Sequence, residues 1–309
     1  VHLGHQAMLD KAKSLAKSQQ LASMVMIFEP QPREFFSPQN APARLTNLAE
    51  KTQLIAEHSI DSLIVANFDN DFRNLSAHDF ATILVKLNVK RLVLGDDFRF
   101  GHDRTGDSEF LRAFGLPVQI LHTVTDHAHQ DERVSSTRIR DCLQQGDLAT
   151  AKHLLGRDYA ITGMVEHGDK IGRTLDFPTA NIALNRIKPA LHGIFAVSVT
   201  ATDGTDLSTL GKNTETGVQG LTKGSLFGAC NVGTRPALKN KYGVEWRLEV
   251  NFPKFDGDLY GKELTVTFLH FLHGEINYPS LDALKQGIAQ DVVDLLDWRE
   301  QQAFAKSCP

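Results

Sequence analysis

Cysteine is scarce in this chain, and the few present build no framework. Cys142, Cys230 and Cys308 lie far apart in 309 residues and include no CxxC pair. An odd count without metal-ligand spacing excludes a disulfide scaffold and fits a reducing compartment, the cytoplasm by default. Long apolar runs are also lacking. None approaches the roughly 18 residues of a membrane span, and the mean hydropathy is -0.23. A basic excess is missing too: the net charge of -4 argues against a general nucleic-acid binder, which would carry a basic stripe. Small anionic ligands stay open, because a phosphate site needs only a few local donors. There is no internal repeat or low-complexity tract, and no signal peptide is expected ahead of the fold. The chain opens at Val1 directly on what reads as a functional loop. A strand normally precedes such a loop, so the first domain is expected to lack its first strand here, with a further segment upstream of Val1.

What is present suits two soluble globular domains, with 41% hydrophobic and 23% charged residues. In the first half, helical and strand-like patterns alternate. Met8, Leu9, Ala12, Leu15 and Ala16 give one apolar face over residues 4–20. Short apolar strands are expected at 24–28, 62–66, 91–94 and 118–121, with helices at 47–58, from Ser76 onward and at 107–114. The first strand ends in a turn at Pro30 and Pro32, and Asp79 is placed as a capping-box acid for Ser76. Helices at 136–145 and 147–155 close this half, which reads as a parallel, doubly wound α/β sheet. After Gly156 the texture changes to short strands at 159–166, 194–201, 227–232, 244–252 and 262–271, the rhythm of a small antiparallel β-barrel. Residues 203–225 read as an exposed hairpin loop, and a terminal helix runs from about Ser280 to Ala305 with Leu281, Leu284, Ile288, Val292 and Leu295 at helical spacing. The expected domains are 1–156 and 157–309.

Two constellations carry chemistry. In the first, His2-Leu3-Gly4-His5 stands at the opening of a helix. A helix N-terminus offers free N–H groups and a positive dipole, glycine lets backbone approach phosphate, and imidazoles donate to oxygens that gain charge when phosphorus is attacked. With 13 His and 23 Gly, roughly 0.04 such motifs are expected per chain by chance, so the motif suggests more than it decides. Ser135-Ser136-Thr137-Arg138-Ile139-Arg140 opens a later helix and forms a second anion site, although such a start is also an ordinary N-cap. Ligands of such sheets gather at the carboxyl ends of the strands.

The second constellation runs from Gly163 through Gly168, Asp169, Gly172 and Arg173 to Phe177-Pro178-Thr179-Ala180-Asn181. Its glycines suit a loop folded closely over phosphates. Thr179 and Asn181, at i and i+2, put two neutral oxygen ligands on one side of an extended segment, a set that suits Mg²⁺ carried by ATP. The bland alternative is an ordinary turn into a strand.

The pair His2-x-Gly4-His5 and Ser135-Ser136-Thr137-x-x-Arg140 resembles the signature of the nucleotidylyltransferase superfamily. Phe28-Glu29-Pro30-x-Pro32, Arg44-Leu45-Thr46 and Gly95-Asp96-Asp97-Phe98-Arg99-Phe100-Gly101 narrow the resemblance to the prokaryotic bifunctional riboflavin kinase/FAD synthetases, over essentially the whole chain. In the second half, Asn231-Val232-Gly233-Thr234-Arg235-Pro236, Leu248-Glu249-Val250 and Phe255-x-Gly257-Asp258-Leu259-Tyr260-Gly261 follow the order of a riboflavin kinase domain. The resemblance implies a Rossmann-like adenylyltransferase joined to the barrel, with riboflavin, FMN and ATP as partners and neither nucleic acid nor membrane. His2 and His5, with Gly4, would hold ATP phosphates during adenylyl transfer to FMN, giving FAD. Ser136, Thr137 and Arg140 would hold the leaving pyrophosphate. Asp96, Phe98 and Arg99 would line the nucleotide or flavin pocket, or else form a strand end with a buried Phe pair. Glu249 would take the proton from the ribityl hydroxyl, Thr179 and Asn181 would hold Mg²⁺, and Asn231 and Arg235 would line the flavin pocket. The chain departs from the family pattern at Asp176, Ala237, Asn251 and His273, the last where Arg-x-Glu-x-x-Phe becomes His273-Gly274-Glu275-Ile276-Asn277-Tyr278. The departures at 176, 251 and 273 motivate one alternative, a monofunctional FMN adenylyltransferase with a degenerate flavin-binding barrel; a second, a nonenzymatic flavin-binding or assembly protein, is disfavoured because both phosphate-site signatures survive together.

Overall fold

Polar caps write most helix starts of the first half into the sequence. The computed structural model describes residues 1–126, 132–167, 177–211, 222–236 and 244–307, and omits the side chains of 235, 236, 244 and 303–307. Asn47 caps α3 (Leu48–Ala56) by accepting from the Glu50 N–H, and Glu50 closes the capping box. Ser76 does the same for α5 (Ala77–Lys86), Asp107 for α6 (Ser108–Ala113) and Asp147 for α8 (Leu148–Leu155). α1 (Leu3–Ser18) turns Leu9 and Ala16 inward, and α8 ends on Gly156 in the left-handed region. Two short helices, α2 (Pro32–Phe36) and α4 (Asn70–Arg73), were not expected. Pro32 stands in the first turn of α2, where its fixed φ starts a helix instead of ending a turn.

The chain divides into two compact units, one of 1–42 and 46–136, the other of 43–45 and 137–309. In the first unit β1 (Met24–Glu29) pairs in parallel with β2 (Ser62–Asn67), and β3 (Leu92–Gly95) pairs in parallel with β4 (Val118–Leu121). A short antiparallel pair joins β5 (Thr125–Asp126) to β6 (Glu132–Arg133). The core packs Phe80, Leu84, Leu94, Phe100 and Leu111 against the strands. These parallel pairs with intervening helices are the expected α/β organisation.

In the second unit, α7 (Ser136–Gln144) and α8 precede a closed six-stranded barrel. Its strands are β7 (Ala160–Glu166), β8 (Thr179–Ile182), β9 (Gly193–Ala201), β10 (Leu226–Pro236), β11 (Val244–Asn251) and β12 (Glu263–His273). They follow the order β10-β11-β8-β7-β12-β9, closing through β9–β10, and every pairing is antiparallel. Phe195, Val197, Val199, Leu226, Val250, Leu264, Val266 and Phe268 are buried, so closure shields the apolar residues and removes the open sheet edges together. α9 (Leu281–Ser307) packs on the outside of the barrel through Leu295, which lies with Phe227, Ala196 and Ala229. Trp298 stacks on His270 at 5.3 Å in the same layer.

Two expectations need correction. The segment 203–225 is not simply exposed, because Leu207 is 0% and Ser225 1% exposed; residues 212–221 lie outside the described residues. Gly163 belongs to β7 and not to a loop. A Cβ there would fall 2.0 Å from the Ala183 carbonyl oxygen, so glycine is needed for the close approach of the chain beyond β8. Gly163→Ala must displace backbone and is expected to cost roughly 3 kcal/mol. Urea denaturation checks this, and an unchanged midpoint would refute it.

Candidate active sites

In the second unit the barrel register gathers the polar residues. Asn231 on β10 stands opposite Glu249 on β11, which stands opposite Asn181 on β8; Asn251 stands opposite Thr179. Asn231, Glu249 and Asn181 therefore form one row across three strands, and strand alternation keeps Thr179, Arg247 and Asn251 on the same face. Ala180 and Ile182, the intervening residues of β8, are buried. The row opens into a cavity of about 300 Å³. Its strand side is polar, whereas Leu284, Ile288 and Val292 of α9, with Ile276 and Tyr278, make an apolar opposite wall. The apolar stripe of α9 thus splits in two: Leu295 is buried against the barrel, and three others face open space. An apolar wall facing a row of fixed polar groups is the usual make-up of a small-molecule site.

Glu249 lies 3.6 Å from the Arg247 guanidinium, whose Nε lies 3.4 Å from Glu245. Asn251, which stood out as a departure, donates from Nδ2 to the Pro178 carbonyl at 3.0 Å. It thereby ties β11 to the turn that presents Thr179. The amide oxygens of Asn231 and Asn251 are buried without a hydrogen-bond partner. Buried polar atoms left in this way are costly unless a ligand meets them, and neutral oxygens of this kind suit a hard cation held partly by phosphate. Among the described residues no group of three or more His, Cys, Asp or Glu side chains could hold a metal. Gly168, Gly172 and Arg173 lie outside the described residues, as do Asp176, Ala237 and the side chain of Arg235.

In the first unit His2 occupies the N-cap of α1, and its ring stacks on His5 with centroids 3.8 Å apart. Gly4 makes room for this pair, since a Cβ there would lie 3.1 Å from the His2 ring. Desolvation first, then the neighbouring His2, lowers the pKa of His5 from 6.5 to about 3. His5 nevertheless keeps an exposed edge, which argues for a smaller shift of the same sign. His5 is thus neutral at pH 7. Phe100 is buried in the core with Phe98 stacked on it at 5.6 Å, while the carboxylates and guanidinium of the same motif stay exposed. The Thr123 hydroxyl donates to Asp96 at 3.1 Å and holds that carboxyl below its ordinary value. Arg133 pairs with Asp97 at 3.0 Å, and Arg99 donates to the Phe98 carbonyl. α7, which belongs to the second unit from Thr137 on, opens at Ser136, so Ser136 and Thr137 stand in a helix's first turn, where N–H groups can meet an anion. Arg140 of α7 donates from Nε to the Ala43 carbonyl at 2.6 Å, beside the Arg44-Leu45-Thr46 motif.

The groups that sequence inspection missed are mostly paired over long separations. They include Arg247 beside Glu249, the Asn251–Pro178 tether, His192–Glu275 at 2.8 Å and His273–Asp291 at 2.7 Å. In the first unit Phe28, Phe35, Phe36, Phe68 and Phe72 form one aromatic cluster, with Arg73 over Phe36. The 18 Phe against 2 Trp and 4 Tyr were the only available hint of it.

Known proteins match this organisation along the chain. A family model described as FAD synthetase matches residues 1–138, and one described as riboflavin kinase matches residues 155–298. The bifunctional riboflavin kinase/FMN adenylyltransferase of Escherichia coli (strain K12) is 40% identical over 294 residues, spanning 94% of this chain and 87% of that protein. The protein of the same description from Haemophilus influenzae is 39% identical over 299 residues, spanning 94% and 89%. A crystal structure described as a macrolide-efflux protein from Streptococcus pneumoniae superposes with a TM-score of 0.72 at 27% identity, covering 94% of this chain and 88% of that one. With both domain models in tandem and such relatives aligned over nearly their whole length, the chain belongs to the bacterial bifunctional riboflavin kinase/FMN adenylyltransferase family.

Proposed function

We infer that this chain phosphorylates riboflavin to FMN and then adenylylates FMN to FAD, using ATP in both steps. The observation that carries this inference is the tandem match of FAD synthetase and riboflavin kinase models along one chain. The row Asn231–Glu249–Asn181 supports it by giving the kinase half a base and oxygen ligands beside a cavity with an apolar wall. We assign residues 1–156 to adenylyl transfer and 157–309 to phosphorylation.

In the kinase step a ribityl hydroxyl oxygen bonds to the γ-phosphorus of ATP, the bond to the β-phosphate oxygen breaks, and ADP leaves. Glu249 accepts the hydroxyl proton, and Arg247 lies close enough to orient and neutralise its carboxylate. Thr179 and Asn181 would hold Mg²⁺, which would neutralise developing charge on the phosphates when bound. Asn251 holds the Pro178 turn that aims Thr179. In the adenylyl step an FMN phosphate oxygen attacks the α-phosphorus of ATP, and pyrophosphate departs. His2, Gly4 and His5 hold the ATP phosphates, and Ser136, Thr137 and Arg140 receive the pyrophosphate. Asp96, Phe98 and Arg99 line the nucleotide or flavin pocket, as Asn231 and Arg235 do in the barrel. Neither step needs a covalent intermediate, so positioning and charge stabilisation carry the rate. We place the enzyme in the cytoplasm, where ATP is at hand; among the described residues no helix is long and apolar enough to cross a membrane.

The monofunctional alternative is not favoured, because the kinase model matches and Thr179, Asn181 and Glu249 survive together. Incubation with riboflavin, ATP and Mg²⁺, followed by chromatography of the flavins, tests the assignment. FMN and FAD are both expected, lost together on chelation and restored by Mg²⁺. Activity that survives complete chelation would overturn the metal assignment.

A further inference from the structure

The cavity has a second polar edge whose residues take no part in the chemistry assigned above. His273 ends β12, and its Nε2 lies 2.7 Å from Asp291 Oδ1 on α9, while its Nδ1 lies 2.7 Å from the Gly274 carbonyl oxygen. Both partners are acceptors. A neutral imidazole has one N–H and satisfies one of them; only the imidazolium, with two, satisfies both. Asp291 is 8% exposed, whereas the His273 side chain is 27% exposed, so the carboxylate end of the pair is the one shielded from water and salt. Asp291 stands between Ile288 and Val292, and both of those line the cavity. The tether therefore fixes the turn of α9 that presents the apolar wall.

We propose that the His273 imidazolium is a positioning residue for the flavin: through Asp291 it holds the α9 wall against the barrel, and riboflavin binds more weakly once that charge is lost. This rests on the kinase reading of the barrel. Partial burial opposes the charge on His273, but the bonds to Asp291 and the Gly274 carbonyl outweigh it and lift its pKa above the ordinary 6.5. Burial likewise raises the Asp291 carboxyl against the bond from His273. The ion pair is complete below the raised His273 value and is lost as pH climbs through it. The other ionisable groups around it are Asp294 on α9, Glu275 and Tyr278 on the following loop, His192 bonded to Glu275, and Arg247 with Glu249 on β11. Asp294 adds to the negative field that favours the imidazolium.

The test measures riboflavin dissociation constants by flavin fluorescence quenching on the full chain, from about pH 6 to about pH 9. Wild type should weaken by roughly tenfold across that range, the loss expected for one hydrogen bond to a charged group. His273→Arg, charged throughout, should bind tightly with a flat profile; His273→Gln and Asp291→Asn should bind weakly with flat profiles. At saturating riboflavin the phosphorylation kcat should move far less than KM, and a kcat near the wild-type value reports that the barrel of each variant is folded. Tight binding with the same pH profile in wild type and His273→Arg would overturn the positioning role alone. No riboflavin binding at any pH would overturn the kinase reading and this proposal with it.

Discussion

Glu249→Gln will abolish FMN formation from riboflavin while leaving FMN-to-FAD conversion near the wild-type rate. Gln keeps the shape of Glu and its place in the row between Asn231 and Asn181, but it cannot accept the proton. General-base catalysis contributes about 10²–10⁴-fold, so a loss of that size is expected in kcat with a smaller change in the KM for riboflavin. Arg247, 3.6 Å from the carboxylate, would face a neutral amide in the variant but keep Glu245 at 3.4 Å. The substitution lies in a barrel strand, so the adenylyl transfer assigned to residues 1–156 serves as an internal control. Equal loss of both activities in a folded protein would show that the two reactions are assigned to the wrong halves.

His5→Ala has the converse effect. FAD formation from FMN should fall by about 10²–10³-fold, the usual cost of removing one donor that meets transition-state charge, while riboflavin phosphorylation persists. Removal of the ring also strips the stacking partner of His2, so part of the loss will appear in the KM for ATP. The lowered pKa of His5 adds a pH signature. The ring is already neutral in the free enzyme at neutral pH, because desolvation and the neighbouring His2 lower its pKa. The ratio of wild-type to variant kcat/KM should therefore stay constant from about pH 6.5 to about pH 8. A ratio that falls steeply across that range would mean that a charged His5 binds ATP.

Much of this architecture was legible in the sequence because its determinants are local. Caps at Asn47, Ser76, Asp107 and Asp147 set helix starts to within a residue or two. The apolar run at 118–121 became a strand as read, and that at 62–66 became one extended by a residue. Thr179 and Asn181 were legible as a pair because i and i+2 share a strand face. That Glu249 and Asn231 join them in one row was not legible, since antiparallel register links Asn181 to Glu249, 68 positions away, and Glu249 in turn to Asn231, 18 positions away. Asn251 looked like a defect because a sequence cannot show its bond to Pro178, 73 positions away. Gly163 was misplaced for a related reason: a glycine that serves close backbone approach and one that serves a loop look alike until the Ala183 oxygen is in place. The helical stripe on α9 was read correctly as apolar, but its division between buried Leu295 and the cavity-lining Leu284, Ile288 and Val292 depends on where the barrel ends.

The tandem of two reactions on one chain is tested most directly by a time course from riboflavin, ATP and Mg²⁺ with flavins, ADP and pyrophosphate all quantified. FMN should rise and then yield to FAD, with one ADP and one pyrophosphate released for each FAD formed from riboflavin. FAD that appears only when FMN is supplied, with no ADP released from riboflavin, would contradict the bifunctional assignment.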